Sequence, residues 1–189
     1  MTILETDRLI LRRLESGDLD ELCALYRDPV VRRYFPEGVL TDRLTKDELD
    51  WFVNGGDPDH PELGLWATIH KATDRFIGRC GLIPCTIDGV QEVEIAYLIA
   101  KPYWRQGLGS EAARALVGYG FERLNLTRVI ALIDPRNEAS VRTALRAGMA
   151  FERVAEVAGE RCSIYAIARP DKVPSYGPAT TSALGGTAK

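Results

Sequence analysis

Histidine and cysteine are scarce in this chain of 189 residues. It contains two histidines, His60 and His70, which do not stand in a metal-ligand pattern, and four cysteines without a Cys-x-x-Cys pair. These absences disfavour a His-rich metal site and a Ser-His-Asp hydrolase, and no metal is expected. The cysteine usage predicts reduced thiols in a cytoplasmic protein, and the N-terminal segment MTILETDRLI lacks the features of a signal peptide.

Long apolar runs and clusters of basic residues are also missing. No stretch reaches the roughly 20 apolar residues that cross a bilayer, and the formal net charge is -3. The sequence therefore disfavours a membrane span and a general nucleic-acid-binding surface. With 46% hydrophobic and 27% charged residues, the composition is typical of a globular protein, and the length suits one domain.

The most informative stretch is EVEIAYLIAKPYWRQGLGSEAARALVGYGFER, residues 92–123. Residues 93–100 are apolar on both alternating faces, which predicts a central strand covered on both sides. Pro102 ends this strand, because proline cannot donate to a strand ladder. From Ser110 onward apolar residues recur at helical spacing. The predicted order is strand, glycine-rich turn and helix.

The turn between this strand and helix has the character of an anion site. Gly107 and Gly109 let a ligand approach the main chain, and a helix start leaves amide N–H groups without partners. Arg105 and Arg114 favour a diphosphate over a single carboxylate. A Gly-x-Gly turn alone would be better explained as an ordinary turn before a helix. Neither GxGxxG nor GxxxxGK[ST] occurs here, which disfavours a nucleotide-binding protein.

The whole stretch resembles the GNAT (GCN5-related N-acetyltransferase) superfamily. The segment WRQGLGSEA follows EIAY and precedes DPRNEASVRTALRAGMAF, a combination similar to the RimJ/RimL-like branch of ribosomal-protein N-terminal acetyltransferases. The family signature Gln/Arg-x-x-Gly-x-Gly/Ala corresponds to residues 104–109. Trp104 occupies its first place, as is familiar in the RimJ/RimL branch. The resemblance covers residues 5–168.

The resemblance implies an α/β fold with a mixed, mostly antiparallel sheet of about seven strands, helices on both faces and a splay at the central strands. The apolar periodicity fits this order of elements. One domain is expected over residues 1–169, and the Pro- and Gly-rich residues 170–189 are expected to be a disordered tail. Strands are predicted at 8–14, 63–70, 76–84, 90–100, 128–132, 149–157 and 161–168, and helices at 18–28, 45–54, from 110, and at 139–147.

The same resemblance implies that acetyl-CoA is the co-substrate and indicates which residues would hold it. The main chain of Leu98, Ile99 and Ala100 would contact pantetheine, unless these groups simply pair with a neighbouring strand. Asn137 would also contact pantetheine, or would only cap the helix that follows it. The pyrophosphate would bind the turn formed by Arg105, Gln106, Gly107, Leu108, Gly109 and Ser110.

Two residues are candidates for the acetyl-transfer chemistry. Glu94 is the one charged residue within an apolar strand and matches the position of the general base in GNAT histone acetyltransferases; Glu92 is the second choice. Ser140 completes the Asn-x-x-Ser pattern of the RimJ/RimL branch, in which the serine is the proposed proton donor. Tyr165 is an alternative donor.

The acceptor is less well defined by the sequence. Tyr34, Phe35, Trp51 and Phe52 are candidates to line its site, although aromatic residues are also routine in protein cores. The RimJ/RimL resemblance favours the α-amine of a protein N-terminus, of a ribosomal or another protein. A small-molecule amine and a non-catalytic acyl-CoA-binding module remain alternatives. A monomer or a homodimer is expected, without nucleic-acid or membrane partners.

Overall fold

The computed structural model describes residues 1–170, which contain eight strands and four α-helices. In chain order the elements are β1 (Thr2–Glu5), β2 (Leu9–Arg13), α1 (Leu19–Arg27), α2 (Asp42–Val53), β3 (Gly64–His70), β4 (Arg75–Ile87), β5 (Val90–Ile99), α3 (Leu108–Glu122), β6 (Arg128–Ile133), α4 (Glu138–Arg146), β7 (Ala150–Val157) and β8 (Glu160–Ala168). The predicted tail lies outside the described residues from 171 onward. In the described part of the chain, no helix is long and apolar enough to cross a membrane.

All eight strands belong to one sheet in the order β1-β2-β3-β4-β5-β6-β8-β7. Neighbouring strands are antiparallel except β5 and β6, which run parallel because α3 connects them as a crossover. The parallel pair is joined at Glu94 and Ile130 only, so the two strands diverge beyond that point. The prediction of a mixed, mostly antiparallel α/β sheet is confirmed.

The sheet has one strand more than predicted. The additional strand, β1, covers four residues at the sheet edge, where Leu4 pairs with Leu11 of β2. Its side chains are exposed or only partly buried, so the sequence carries no clear alternation there. Two helices also begin two or more residues earlier than predicted. Helix α2 begins at Asp42 because the Thr41 hydroxyl accepts the N–H of Leu44, and α3 begins at Leu108.

Helices cover both faces of the sheet, as predicted. Helices α3 and α4 bury one face, where Leu108, Ala112 and Leu116 pack in one cluster with Ile95, Ile99 and Val129. Helices α1 and α2 bury the other face, where Leu22, Leu25 and Leu49 pack with Leu65, Ile69 and Leu98. The strand β5 therefore lies in the middle of the core, with successive side chains pointing into opposite layers.

Candidate active site

A cavity of about 1640 Å³ lies where β5 and β6 separate. Its wall includes Ile95 and Ile99, which face α3, and also Ala96 and Leu98, which face α1 and α2. The cavity is therefore reached from both sides of the sheet. The gap between the parallel strands joins the two sides.

The main chain of β5 is directed alternately to its two neighbours. The N–H of Ala100 donates to the carbonyl oxygen of Ile77 on β4 at 2.7 Å. Because main-chain groups of successive residues in an antiparallel ladder point to opposite sides, those of Leu98 also point to β4, whereas those of Tyr97 and Ile99 point to the gap. Ala100 does not line the cavity, while Leu98 and Ile99 do.

The glycine-rich turn opens at one end of this cavity. Arg105 and Gly107 adopt left-handed conformations, with φ of 62° and 79°. Gly107 is the N-cap of α3 and offers no side-chain cap, and the first helical hydrogen bond runs from the N–H of Glu111 to Gly107. The three preceding N–H groups, those of Leu108, Gly109 and Ser110, therefore lack helical partners. Such a terminus fits an anion.

The space in front of this helix terminus is open. A Cβ atom built on Gly109 meets no atom within 4 Å. Arg105, Gly107, Leu108, Gly109 and Ser110 all contribute to the cavity wall. Gln106 does not: its side-chain amide donates to Pro102 at 3.0 Å, outside the wall. The residues present thus fit a pyrophosphate, with Gln106 the exception among those predicted.

A salt bridge that the sequence analysis missed holds the turn in place. Arg8 donates from Nη1 to the carbonyl oxygen of Gln106 at 2.9 Å and from Nε to the Glu111 carboxylate at 2.7 Å. Glu111 also accepts hydrogen bonds from the Thr6 hydroxyl and the N–H of Arg8. Burial acts to raise the pKa of Glu111, but these donors outweigh it and hold the pKa below its usual value. The connection between β1 and β2 thereby braces the glycine-rich turn.

Glu94 lies in the cavity wall at the point where β5 and β6 are paired. Burial raises the pKa of its carboxyl group to about 7, although the charge of Arg79 and the N–H of Leu132 partly oppose that shift. Glu92, the second choice, is instead bonded to Arg128 at 3.1 Å and does not line the cavity. Of the two glutamates, only Glu94 lines the cavity, and its pKa suits a general base.

Asn137 and Ser140 enter the cavity wall from the first turn of α4. The side chain of Asn137 caps the helix, since its Oδ1 accepts the N–H of Ser140 at 3.2 Å. The Tyr97 hydroxyl, also in the wall, donates to the main-chain oxygen of Ser140 at 3.0 Å. Tyr165 is only 9% exposed, packs edge-on against Phe151 and is not part of the wall. The structure therefore gives no support to Tyr165 as proton donor.

The predicted aromatic residues also line this cavity. Tyr34, Phe35, Trp51 and Phe52 all contribute to the wall, and Trp51 is 53% exposed. Two buried arginines, Arg32 and Arg79, also line the cavity and were missed by the sequence analysis. The signal available for Arg79 was a single charge inside the apolar segment FIGRCGLI.

Comparison with known proteins agrees with this geometry. Residues 8–150 match the family model described as acetyltransferase (GNAT) domain. The uncharacterized protein YkkB of Bacillus subtilis (strain 168) is 34% identical over 165 residues, which are 87% of this chain and 94% of YkkB. The GNAT acetyltransferase from Bacillus anthracis has a crystal structure with a TM-score of 0.74 at 27% identity, over 89% of this chain and 98% of the other.

A third similarity concerns the fold alone. RimL, a ribosomal L7/L12 alpha-N-protein acetyltransferase solved in complex with coenzyme A, superposes with a TM-score of 0.72 at 17% identity, over 89% of this chain and 98% of RimL. Three observations lead to the same family: the sequence match, the sheet with its diverging parallel pair and the uncapped glycine turn. The chain belongs to the GNAT family of N-acetyltransferases.

Proposed function

We propose that the protein transfers the acetyl group of acetyl-CoA directly to the α-amine of a protein N-terminus. The observation that carries the proposal is the position of Glu94, whose carboxyl group has a pKa of about 7 and lines the same cavity as the anion-binding turn. The amine nitrogen attacks the thioester carbonyl carbon and the C–S bond breaks. Glu94 takes a proton from the amine, Ser140 supplies one to the leaving thiolate, and the proton held by Glu94 returns through water to Ser140.

Acetyl-CoA fits the arrangement of main-chain donors along the cavity. Its pyrophosphate would bind the N–H groups of Leu108, Gly109 and Ser110, with Arg105 nearby. Its pantetheine arm would then lie in the gap, where the N–H of Ile99 is directed. No cysteine role is needed, because the acetyl group passes straight from sulfur to nitrogen.

The acidity of Glu94 suits an α-amine. A carboxylate whose conjugate acid has a pKa of about 7 can accept a proton from an α-ammonium group with a pKa near 8 more readily than from a lysine near 10.4. The fold likeness to RimL supports the same acceptor. A family likeness defines the donor better than the acceptor, so a small-molecule amine is the second candidate.

The proton donor proposed for the leaving group is held by two contacts. The N–H of Ser140 is bound by Asn137 and its carbonyl oxygen by Tyr97. Ser140 lines the cavity, and its side chain lies beside the Tyr97 phenol. The hydroxyl is therefore available to a substrate.

The test combines binding and turnover. Calorimetry should detect acetyl-CoA binding, and release of CoA should occur with peptides that begin with alanine or serine but not with the same peptides blocked at the α-amine. The variants Glu94→Gln and Ser140→Ala should lower turnover and keep acetyl-CoA affinity. The exposed Glu21 on α1 provides the matched control Glu21→Gln.

Each result has a defined meaning. Undiminished turnover in the double variant would remove both catalytic assignments. Turnover confined to polyamines or aminoglycosides would overturn the protein N-terminus as acceptor. Tight acetyl-CoA binding without turnover of any amine would favour a non-catalytic binding module.

A further inference from the structure

Two arginine side chains lie buried next to each other in the wall of the cavity, beside the rings of Tyr26 and Phe35. Arg32 is 4% exposed and Arg79 is 6% exposed, and both contribute to the cavity wall. Their Cζ atoms lie 5.1 and 5.5 Å from the ring centre of Tyr26, and 4.2 and 5.8 Å from that of Phe35. Both guanidinium groups therefore face the same two rings.

Arg79 has hydrogen-bonding capacity that the protein does not use. Its Nε donates to the Tyr26 hydroxyl at 2.8 Å, and that hydroxyl in turn donates to Glu48. Among residues 1–170, neither Nη atom of Arg79 donates a hydrogen bond to the protein. Each Nη carries two hydrogens, so four donors of a side chain that is 6% exposed have no protein partner.

Arg32 is held by partners of its own. Its Nε donates to the carbonyl oxygen of Gly38 at 2.7 Å, and Nη2 reaches the carboxylate of Glu37 at 3.2 Å. Glu37 is 63% exposed at its side chain, so water screens its charge. Burial lowers the pKa of Arg32, and the positive charge of Arg79 lowers it further. The two buried cations repel each other, and the carboxylate of Glu48 offsets part of that repulsion.

The position of Arg79 relative to Glu94 sets the distance between Arg79 and an amine that reacts at Glu94. Arg79 pairs with Leu98 in the β4–β5 register, and Leu98 is four residues from Glu94 on β5. That spacing is about 13 Å between Cα atoms, and an even number of residues puts both side chains on one face of the sheet. Because both side chains are long, their charged groups lie closer together than the Cα atoms do. The charge of Arg79 accordingly acts to lower the pKa of Glu94.

We propose that Arg79, supported by Arg32, binds a carboxylate of the acceptor, supplied by an acidic side chain at its second or third residue. The proposal rests on the N-terminal acetylation proposed above. A carboxylate matches the two open Nη groups of one guanidinium with two parallel hydrogen bonds. The same anion relieves the repulsion between the buried arginines. The amine then lies at Glu94 while the acidic side chain reaches Arg79 over Ala96 and Leu98.

The experiment compares two peptides that differ only in whether one side chain ends in a carboxylate or an amide. Both begin with the same serine or alanine; one has aspartate at the second or third position, the other asparagine. The wild-type protein should give a kcat/KM at least about tenfold higher for the aspartate peptide, which corresponds to about 1.4 kcal/mol. Arg79→Gln should bring the ratio close to one, and Arg79→Lys should restore part of it.

The matched control is Arg75→Gln, four residues earlier on the same strand, where the side chain is exposed. It should keep the wild-type ratio. Acetyl-CoA affinity, measured by calorimetry, should stay unchanged in Arg79→Gln, which separates acceptor recognition from folding and from donor binding. Equal kcat/KM for both peptides with the wild-type protein would overturn the proposal whether or not any variant folds. A preference that persists in Arg79→Gln would overturn it as well.

A failure of the proposed function gives a different pattern. If no peptide is acetylated, the affinities of the aspartate and asparagine peptides for the protein are compared by calorimetry. A preference for aspartate that Arg79→Gln abolishes would support the carboxylate site and overturn the protein N-terminus. The absence of any such preference would overturn the carboxylate site.

Discussion

The hydroxyl of Tyr97 donates a hydrogen bond of 3.0 Å to the main-chain carbonyl oxygen of Ser140. It joins the middle of β5 to the first turn of α4, the two elements that contribute the proposed base and the proposed proton donor. Burial raises the pKa of the Tyr97 phenol above its usual value, so the group stays protonated and remains a donor. The contact therefore restrains the position of Ser140 relative to the gap between β5 and β6.

Removal of this hydroxyl should weaken both the fold and the reaction. In Tyr97→Phe the ring remains, and the lost hydrogen bond should lower the free energy of unfolding by about 1 kcal/mol. The less restrained Ser140 should lower kcat about tenfold. Denaturant unfolding and steady-state kinetics measure the two effects. Tyr119→Phe is the control, because the Tyr119 ring packs on Trp66 and its hydroxyl has no partner in the described residues.

The double variant Tyr97→Phe, Ser140→Ala tests the explanation. If Tyr97 acts through Ser140, the two losses in kcat should be strongly non-additive. Independent, additive losses would mean that Tyr97 contacts the reacting atoms itself.

The pH profile of turnover should depend on Glu94. Because the base must be ionised, kcat/KM of the wild-type protein should rise with pH through the Glu94 pKa of about 7. Glu94→Gln should lower kcat/KM by about 100- to 1,000-fold and remove this limb, leaving only the titration of the acceptor amine near pH 8. A profile in the variant that keeps an inflection at 7 would assign it to another group.

The same carboxyl group should cost stability at high pH. Its pKa is about 7 in the folded protein, above the unfolded value near 4.5, so the folded state binds the proton more tightly. Stability from this group is present below pH 4.5 and is lost as the pH rises through 7. Glu94→Gln should therefore be more stable than the wild type by about 1–3 kcal/mol at pH 8, with little difference at pH 4. Denaturant unfolding at both pH values measures the difference.

Glu111 should show the opposite sign. Its hydrogen bonds from Thr6 and Arg8 lower the pKa in the folded state, so its contribution is present above the unfolded pKa and is lost as the pH falls through the folded one. Glu111→Gln should be less stable than the wild type at pH 7, and the gap should close in acid. Equal pH dependence of the two variants would contradict both assignments.

The parts of the site that the sequence could predict are local in the chain. The strand, turn and helix of residues 92–123 are consecutive, and their periodicity and glycines are sufficient to place them. Asn137 shows the limit of such patterns, because its two proposed roles, helix cap and cavity residue, both fit the structure. Ala100 shows another limit. Three consecutive main-chain positions were proposed as pantetheine contacts, but successive residues of a strand face opposite neighbours, and the sequence does not reveal which ones face the gap.

The parts that could not be predicted depend on contacts between distant segments. Arg8 and Glu111 stand far apart in the sequence, and neither lies in a pattern that distinguishes it from a solvated charge. Arg32 and Arg79 come from a turn and a strand, and only the packing of α1 against the sheet brings them to one pair of rings. Charge in an apolar strand marks Arg79 and Glu94 as unusual, but the partner of such a charge is defined by tertiary structure alone.

A substitution at Gly109 distinguishes what acetyl-CoA binding requires of this position from what folding requires. It is the second residue of α3, its φ is not in the left-handed region, and an added Cβ would meet no protein atom within 4 Å. Gly109→Ala should therefore fold as well as the wild type. The added methyl group would occupy the space that the pyrophosphate needs, so the Kd for acetyl-CoA should rise about tenfold or more, a loss of about 1.4 kcal/mol.

Gly118→Ala, in the same helix and with equally open space, is the control and should gain about 0.5–1 kcal/mol of stability without loss of affinity. Calorimetric titration of both variants distinguishes the two effects. Unchanged affinity in Gly109→Ala would show that the pyrophosphate does not bind at the N-terminus of α3.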